Sequence, residues 1–448
     1  MSCSLLIPTE QNYNATRHLG NSSVIATHNS RLTTGWQILN TKYNKNMIAY
    51  ANHLIGAVAL AILVSYYSHV LLPYGGSRID AERGIFCEID TSIKNLNAAN
   101  GLSLIYERTY PGKESLLVGP ESIVLDDDSN IYALTKGGKI VLLENLTSSS
   151  DLAGNSNKIY ADTQIVASSV GRPLGGKFLP GTKILYFADA LLGLCRVDLA
   201  NDFPKIELVA TEVKTPSGIL SPILYADDVD IGKSGMVYFS DASTIPPERD
   251  PDRSYDVLYS YKVDLLRGIK SGRLLRYNPT TDETVILADG IWFANGVAVD
   301  KDETFVLVSE TSMFRVLKYH LSGPKDGHLE VVLDMLPGHT DGVDCISSGH
   351  CLVALPSPVT NIQKMLFKMP PMIAAALQSL LMMLPKAMSP GLLRYGGFVE
   401  FDPYSGTVKR IVQDPKGEEI VGITSVTEHK GKVYLGSLEN EFVGVYQL

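Results

Sequence analysis

This chain of 448 residues has few cysteines and no net positive charge. Its five cysteines are too few for the disulfide framework of a small secreted protein. The formal net charge is −9, the pI is near 5.5, and no basic stripe runs along the sequence. This excludes nucleic acid as a partner, because phosphates require clustered Lys and Arg. There is also no Gly-x-Ser-x-Gly motif, which argues against a serine hydrolase.

One segment lacks charge altogether. Residues 47–72 contain no Asp, Glu, Lys or Arg, and about 20 such residues span a bilayer as a helix. Residues 1–46 carry four basic side chains and one acidic side chain. The positive-inside rule therefore predicts a single-pass type II membrane protein with a lumenal or extracellular C-terminal part. The endoplasmic reticulum, other endomembranes and the plasma membrane remain alternatives.

The remaining composition divides the chain into regions. Residues 1–46 are rich in Asn, Ser and Thr without a period, which is typical of a disordered cytosolic tail. Residues 73–101 are predicted to be a linker. From 102 to 448, short β-branched and aromatic runs alternate with Gly, Asp, Asn and Pro turns, as in an all-β domain.

A repeated opening organises the β region. A polar or glycine cluster stands directly before a short apolar strand at Gly171–Gly176 and Phe293–Val297, and similar openings recur around Glu121, Asp228, Asp341 and Thr424. Such a period predicts a six-bladed β-propeller whose polar openings converge on one central channel. The sixth unit shows only three strands, so residues 104–107 are predicted to supply its fourth.

An insertion at residues 361–390 interrupts the fifth unit. It is Met- and Leu-rich and broken by prolines, so it is too short to span a bilayer. Two interpretations remain open. The segment is either a lid over the channel that also contacts the membrane, with Lys364, Lys368 and Lys386 beside its apolar stretch, or a helix packed on the propeller rim.

Two further features concern covalent chemistry. Cys345 and Cys351 flank a Ser-Ser-Gly-His turn, where they either face each other across a hairpin or remain buried thiols. Asn145-Leu146-Thr147 is a glycosylation sequon on the predicted lumenal side.

Four motifs carry a resemblance to a known family. With GRPLGG at 171–176, YADDVDI at 225–231, FANGVAV at 293–299 and EHKGKVYLGSL at 428–438, the chain resembles the strictosidine synthase-like family. The charge-free segment and the Met-rich insertion resemble its adipocyte plasma membrane-associated branch. The resemblance implies a six-bladed propeller that is distantly similar to calcium-dependent paraoxonase-type hydrolases.

The resemblance also implies a metal site in the channel. Matching motif by motif, Glu121, Asp227, Asn295 and Asp341 would be the ligands of Ca²⁺, which takes six to eight oxygen ligands. Asp227 stands where that pattern has Asn, and Gly342 replaces one expected ligand. The alternative is that all four are ordinary turn and strand-start residues, since Asp and Asn favour such positions.

The departures from the family pattern bear on catalysis. Thr424 falls where strictosidine synthase has its catalytic glutamate, and threonine does not act as a general acid or base in that range. GRPLGG occupies the region where a paraoxonase-type His dyad would stand. His339 either reaches the channel or is a rim histidine in contact with solvent, and the second is the favoured interpretation.

The sequence therefore predicts a membrane-anchored propeller that hydrolyses small, fairly apolar esters or lactones with a bound divalent cation and does not form strictosidine. The alternative, from a different class, is a non-catalytic surface glycoprotein for adhesion or ligand binding. The missing dyad and Gly342 favour that alternative, whereas the acidic openings favour the enzyme.

Overall fold

A computed structural model describes most of the chain beyond residue 92. The described residues are 93–148, 157–250, 254–268, 270–361 and 393–448, with the isolated positions 363, 369–370, 373 and 377–378. The predicted tail 1–46, the predicted membrane helix 47–72 and most of the insertion 361–390 lie outside them. Within these ranges, no helix is long and apolar enough to cross a bilayer.

The described residues form an all-β, propeller-like fold. Its strands are grouped in four-stranded antiparallel units, each with its first strand at one edge. Two short strands, β1 (Ile93–Asn95) and β2 (Leu102–Glu107), precede the first unit and are separated by a 3₁₀ turn at Ala98–Asn100.

The strands of the first three units follow in chain order. Unit one contains β3 (Pro120–Leu125), β4 (Ile131–Thr135), β5 (Lys139–Ser148) and β6 (Lys158–Ser168). Unit two contains β7 (Pro173–Phe178), β8 (Ile184–Asp189), β9 (Gly193–Asp198) and β10 (Ile206–Ala210), followed by the hairpin β11 (Glu212–Lys214) and β12 (Leu220–Pro222). Unit three contains β13 (Ala226–Ile231), β14 (Val237–Asp241), β17 (Gly272–Asn278) and β18 (Glu283–Ile291), with the hairpin β15 (Glu248–Arg249) and β16 (Tyr255–Asp256) and helix α1 (Val257–Arg267) inserted after β14.

The remaining units complete the set. Unit four contains β19 (Ala294–Val299), β20 (Phe305–Glu310), a 3₁₀ turn at Thr311–Met313, β21 (Arg315–His320) and β22 (Leu329–Leu333). Unit five contains β23 (Val343–Cys345), β24 (Cys351–Leu355), β25 (Gly396–Phe401) and β26 (Val408–Asp414). Unit six contains β27 (Ile423–His429), β28 (Lys432–Ser437) and β29 (Phe442–Gln447), and its fourth strand is β2.

Burial explains the strand patterns and the position of the core. The second strand β20 is buried at every position, because neighbouring sheets cover both of its faces, whereas the outer strand β10 is mostly exposed or half-buried. Six apolar clusters each combine residues of two consecutive units, and one of them joins unit six to unit one. The first strands contact each other in the same cyclic order, and β27 returns to β3. The core therefore lies between sheets arranged in a ring.

The predicted closing strand is confirmed. Strand β2 pairs antiparallel with β29, with Leu104 opposite Gly444. It also pairs in parallel with β6, with Tyr106 opposite Tyr160, so units six and one fuse into an eight-stranded sheet. We call this double pairing of β2 the seam.

The fold begins earlier than the sequence indicates. Ile93 to Asn95 pair in parallel with β26, and Leu96 is buried in the cluster between units five and six. Residues 93–101 of the predicted linker 73–101 are thus part of the fold. The sequence did not indicate this, because a strand of three residues followed by one core leucine is too short to give a recognisable pattern. Cys345 and Cys351 are joined by a disulfide across β23 and β24, so the hairpin interpretation is confirmed and the free-thiol interpretation is wrong.

Candidate functional site

The repeated opening of the sequence corresponds to a β-bulge. In five of the six first strands, the register with the second strand shifts at the start of the pairing. The residues skipped by this shift are Glu121 in β3, Leu174 and Gly175 in β7, Asp227 and Asp228 in β13, Asn295 and Gly296 in β19, and Thr424 in β27. Bulges are common beside active sites because they turn a side chain out of the regular alternation.

Three of the four predicted ligands, Glu121, Asp227 and Asn295, are bulge residues, whereas Asp341 precedes β23, whose pairing with β24 has no register shift. Glu121, Asp227 and Asn295 are all buried at the starts of their strands, and Asp341 lies two residues before β23. Burial and the charge of Glu121 raise the pKa of Asp341 well above its usual range, and the Asn295 side chain opposes this. Burial raises the pKa of Asp227 well above its usual range, and the charges of Asp341 and Glu121 raise it further. We call Asp227, Asn295 and Asp341 the central acidic site.

Asp227 and Asp228 have different roles. The Asp228 carboxylate accepts hydrogen bonds from the backbone N–H of Val229 and, across to β19, from that of Val297, both at 2.9 Å. Burial nevertheless raises the pKa of Asp228 to about 7, against the effect of these hydrogen bonds. Asp228 therefore links units three and four, which leaves Asp227 as the carboxylate of this pair within the central acidic site.

Glu121 has a partner that the sequence did not predict. Its Oε2 lies 2.7 Å from Nη2 of Arg172, the arginine of GRPLGG, and the Arg172 side chain is only 1% exposed. Burial raises the pKa of Glu121, and the Arg172 charge opposes this. The opening of unit two, for which the sequence predicted no charged site residue, thus contributes a buried cation.

Gly342 and Thr424, two separate departures from the family pattern, contact each other. The N–H of Gly342 donates to the Thr424 carbonyl oxygen at 2.8 Å, and a Cβ on residue 342 would lie 2.6 Å from that oxygen. The Thr424 hydroxyl donates to the Glu121 carbonyl oxygen at 2.8 Å. Thr424 therefore joins units five, six and one, and its backbone occupies the space that a side chain at 342 would need.

His339 is not a rim histidine, so the favoured interpretation is wrong. It is buried, with Tyr261 of α1 2.6 Å from Nδ1 and Gln363 2.9 Å from Nε2. The Gln363 Oε1 accepts from the Thr360 N–H, so its Nε2 donates to His339, and His339 Nδ1 donates to the Tyr261 hydroxyl. Burial lowers the pKa of His339 to about 4, which keeps the ring neutral. Both ring nitrogens are already hydrogen-bonded, so His339 is not placed to act as a general base toward the attacking water.

A second ionic cluster lies three residues further along the first strands. Lys177 in β7 is 3.2 Å from Asp230 in β13 and 3.5 Å from Asp344 in β23. Asp230 also accepts the N–H of Val299, and Asp344 accepts the N–H of Glu428. This cluster ties together units two to six and was missed, because its members are spread over more than 160 residues of sequence.

The donor chemistry of the central acidic site fits a hard divalent cation. Two carboxylates and one amide are oxygen ligands of the kind calcium takes. Arg172 pairs with Glu121, whereas burial and neighbouring carboxylates raise the pKa values of Asp227 and Asp341. In the described ranges, no group of three or more His, Cys, Asp and Glu side chains is placed to hold a metal.

An apolar cluster borders this polar group. It contains Leu174, Tyr225, Val257 and Phe293. Leu174, Tyr225 and Phe293 each lie two residues from Arg172, Asp227 and Asn295, respectively, and Val257 is the first residue of α1. Phe293, directly before β19, adopts a φ of 59°, a conformation that is unusual for a bulky residue.

The fold and the site place this protein in the class of propeller-like proteins that carry acidic residues at the starts of their first strands. A family model described as strictosidine synthase matches residues 227–324. Protein STRICTOSIDINE SYNTHASE-LIKE 13 of Arabidopsis thaliana is 36% identical over 248 residues, which cover 55% of this chain and 57% of that protein. The adipocyte plasma membrane-associated protein of Rattus norvegicus is 30% identical over 346 residues, which cover 74% of this chain and 83% of that protein.

The chain belongs to the strictosidine synthase-like family. Among solved structures, a gluconolactonase of Xanthomonas campestris matches with a TM-score of 0.50, 11% identity, and coverage of 80% of this chain and 96% of that one. At this identity the match supports the propeller-like fold alone.

Proposed function

We propose that the protein is a six-bladed propeller that hydrolyses small, fairly apolar esters or lactones with the help of a bound calcium ion. The observation that carries this proposal is the convergence of Asp227, Asn295 and Asp341 at the starts of three consecutive first strands. The resemblance to gluconolactonase in fold and the apolar cluster beside the site are consistent with it. Compared with the four ligands predicted from the sequence, Glu121 is reassigned as the partner of Arg172.

Each part of the site has a distinct task in this mechanism. Asp227, Asn295 and Asp341 would hold the cation, and calcium, when bound, polarises a carbonyl and activates water. The apolar cluster accommodates the hydrocarbon part of the substrate and excludes bulk water, which strengthens electrostatic interactions in the site. His339 stays neutral and positions α1 through Tyr261.

The hydrolysis proposal is tested with the full-length chain in detergent. We expect hydrolysis of phenyl acetate or a small lactone with saturating calcium, its loss with chelator, and a fall of about 10- to 100-fold in Asn295→Ala, as for other ligand-shell changes. Asn201→Ala, on an exposed loop, is the matched control. Wild-type protein that is inactive at saturating calcium, or unaffected by chelator, would refute the hydrolase and favour a non-catalytic ligand-binding glycoprotein.

We also propose that residues 47–72 anchor the chain as a type II membrane protein with the propeller in the lumen or outside the cell. A disulfide between Cys345 and Cys351 suits an oxidising compartment, and a relative carries the name plasma membrane-associated. Asn145, the predicted glycosylation site, lies exposed on β5.

This topology predicts a glycan at Asn145. Full-length chain made with microsomes should migrate faster after glycosidase treatment, and Asn145→Gln should remove that difference, while residues 102–448 should resist added protease. A propeller that is digested in sealed microsomes would refute the topology.

A further inference from the structure

Arg172 has more hydrogen-bonding capacity than the described fold uses. A guanidinium carries five N–H donors, and Glu121 Oε2 accepts from Nη2. Nε and Nη1 are buried and have no hydrogen-bond partner among the residues that the structure describes. The contact of residue 172 with Asp189 is made by its backbone N–H and leaves the side chain unaffected.

Unpartnered donors on a buried cation require an explanation. A guanidinium cannot shed its charge at physiological pH, and a buried donor without a partner costs about 1–3 kcal/mol, or more when it is charged. Native proteins keep few such groups, and those that remain commonly face a ligand, an ion or an ordered water. Arg172 is therefore expected to meet an acceptor that is not part of the described chain.

The position of Arg172 indicates which acceptor this is. Arg172 contacts Glu121, whose carbonyl oxygen accepts the Thr424 hydroxyl, and the Thr424 carbonyl oxygen accepts the N–H of the residue after Asp341. Burial and the charges of Asp227, Glu121 and Asp341 raise the pKa of Tyr225, and the Arg172 charge opposes this, so these groups lie in one region. Three carboxylates there disfavour an anionic ligand in its ground state. They do not disfavour a neutral carbonyl that gains negative charge only during reaction.

We propose that Arg172 is the oxyanion-binding residue of this site, with Nε and Nη1 donating to the acyl oxygen of the substrate. The inference rests on the ester or lactone hydrolysis proposed above. Water attacks the acyl carbon, and the π electrons of the carbonyl move onto its oxygen, which accepts the hydrogen bonds of Arg172. The carbonyl re-forms, the bond to the leaving oxygen breaks, and the proton released by the water ends on that oxygen. Acid and alcohol are the products.

The kinetic test compares Arg172→Met and Arg172→Lys with Arg196→Met, which removes an exposed arginine paired with Glu207. Removing one oxyanion donor costs about 10²–10³ in kcat, so we expect that loss in Arg172→Met with KM changed by less than about threefold. Lysine keeps a positive charge to pair with Glu121 and so preserves the fold. It lacks the planar guanidinium with its several N–H donors, so Arg172→Lys should also lose kcat. Added guanidinium ion should restore activity to Arg172→Met and leave Arg196→Met unchanged.

A binding test separates this inference from the hydrolysis proposal. Phenyl methylphosphonate resembles the tetrahedral, negatively charged transition state. With saturating calcium, whose charge would offset the carboxylates of the site, it should stabilise wild type and Arg196→Met in thermal unfolding, but neither Arg172 variant. Inactive wild type with Arg172-dependent phosphonate binding would refute hydrolysis and still support the donor role. Equal phosphonate binding in all variants, or unchanged kcat in Arg172→Lys, would show that Nε and Nη1 bind ordered water only and would overturn the inference.

Discussion

Replacing Glu121 with leucine is expected to lower the free energy of unfolding by about 3–5 kcal/mol. The reason is the fixed charge left behind, because Arg172 is fully buried and would lose the one charged partner found for it in the described part of the chain. Removing Arg172 instead should cost less below neutral pH, since burial already raises the pKa of Glu121 and the carboxyl can become neutral by taking a proton. A raised folded-state pKa stabilises the fold at low pH and loses that stabilisation as the pH rises through it.

Urea unfolding of the full-length chain measures both effects. The double variant Glu121→Leu/Arg172→Met should recover most of the stability lost by Glu121→Leu, as buried ion pairs replaced by apolar pairs often do. Glu207→Leu is the matched control, because it removes the partner of the exposed Arg196 and should cost no more than about 1 kcal/mol. A Glu121→Leu protein within 1 kcal/mol of wild type would mean that Arg172 does not depend on this carboxylate.

His339 should make the fold sensitive to acid over a defined range. Its folded-state pKa is about 4 because of burial, whereas an unfolded histidine titrates near 6.5. The unfolded chain therefore binds a proton that the folded chain does not. Stability is complete above pH 6.5 and is lost progressively as the pH falls toward 4, by about 3 kcal/mol in total.

The difference between His339→Gln and wild type isolates this contribution. Between pH 7 and pH 4, the free energy of unfolding of wild type should fall by about 3 kcal/mol more than that of the variant. His328→Gln, at an exposed position, should follow wild type. Parallel curves for wild type and His339→Gln would show that His339 is protonated within the fold.

Local sequence pattern predicted the fold better than it predicted the partners of each residue. The polar openings are local patterns, so they could be recognised in the sequence. The closing strand β2 lies far from its partner β29 in the chain, but it could be predicted because unit six shows one strand fewer than the other units. Arg172 meets a glutamate 51 positions away, and His339 meets a tyrosine 78 positions away. Such contacts exist only when separate units are placed side by side, and no local period encodes them.

The same limit explains the interpretation of Gly342. In the sequence it looked like a lost ligand beside Asp341, independent of the threonine at 424. In the structure it is the residue that allows β23 to approach the backbone of Thr424. Restoring a side chain at 342 alone would therefore clash before it could bind a metal.

The seam has a consequence for the order of events during synthesis. Leu104 must pair with Gly444, so a strand made early waits until the last strand emerges from the ribosome. At about 5–20 residues per second, that delay is on the order of tens of seconds. The edge of β2 that pairs with β6 can be covered early, but the edge that pairs with β29 stays open in the meantime. A nascent chain with this open edge would most need a chaperone.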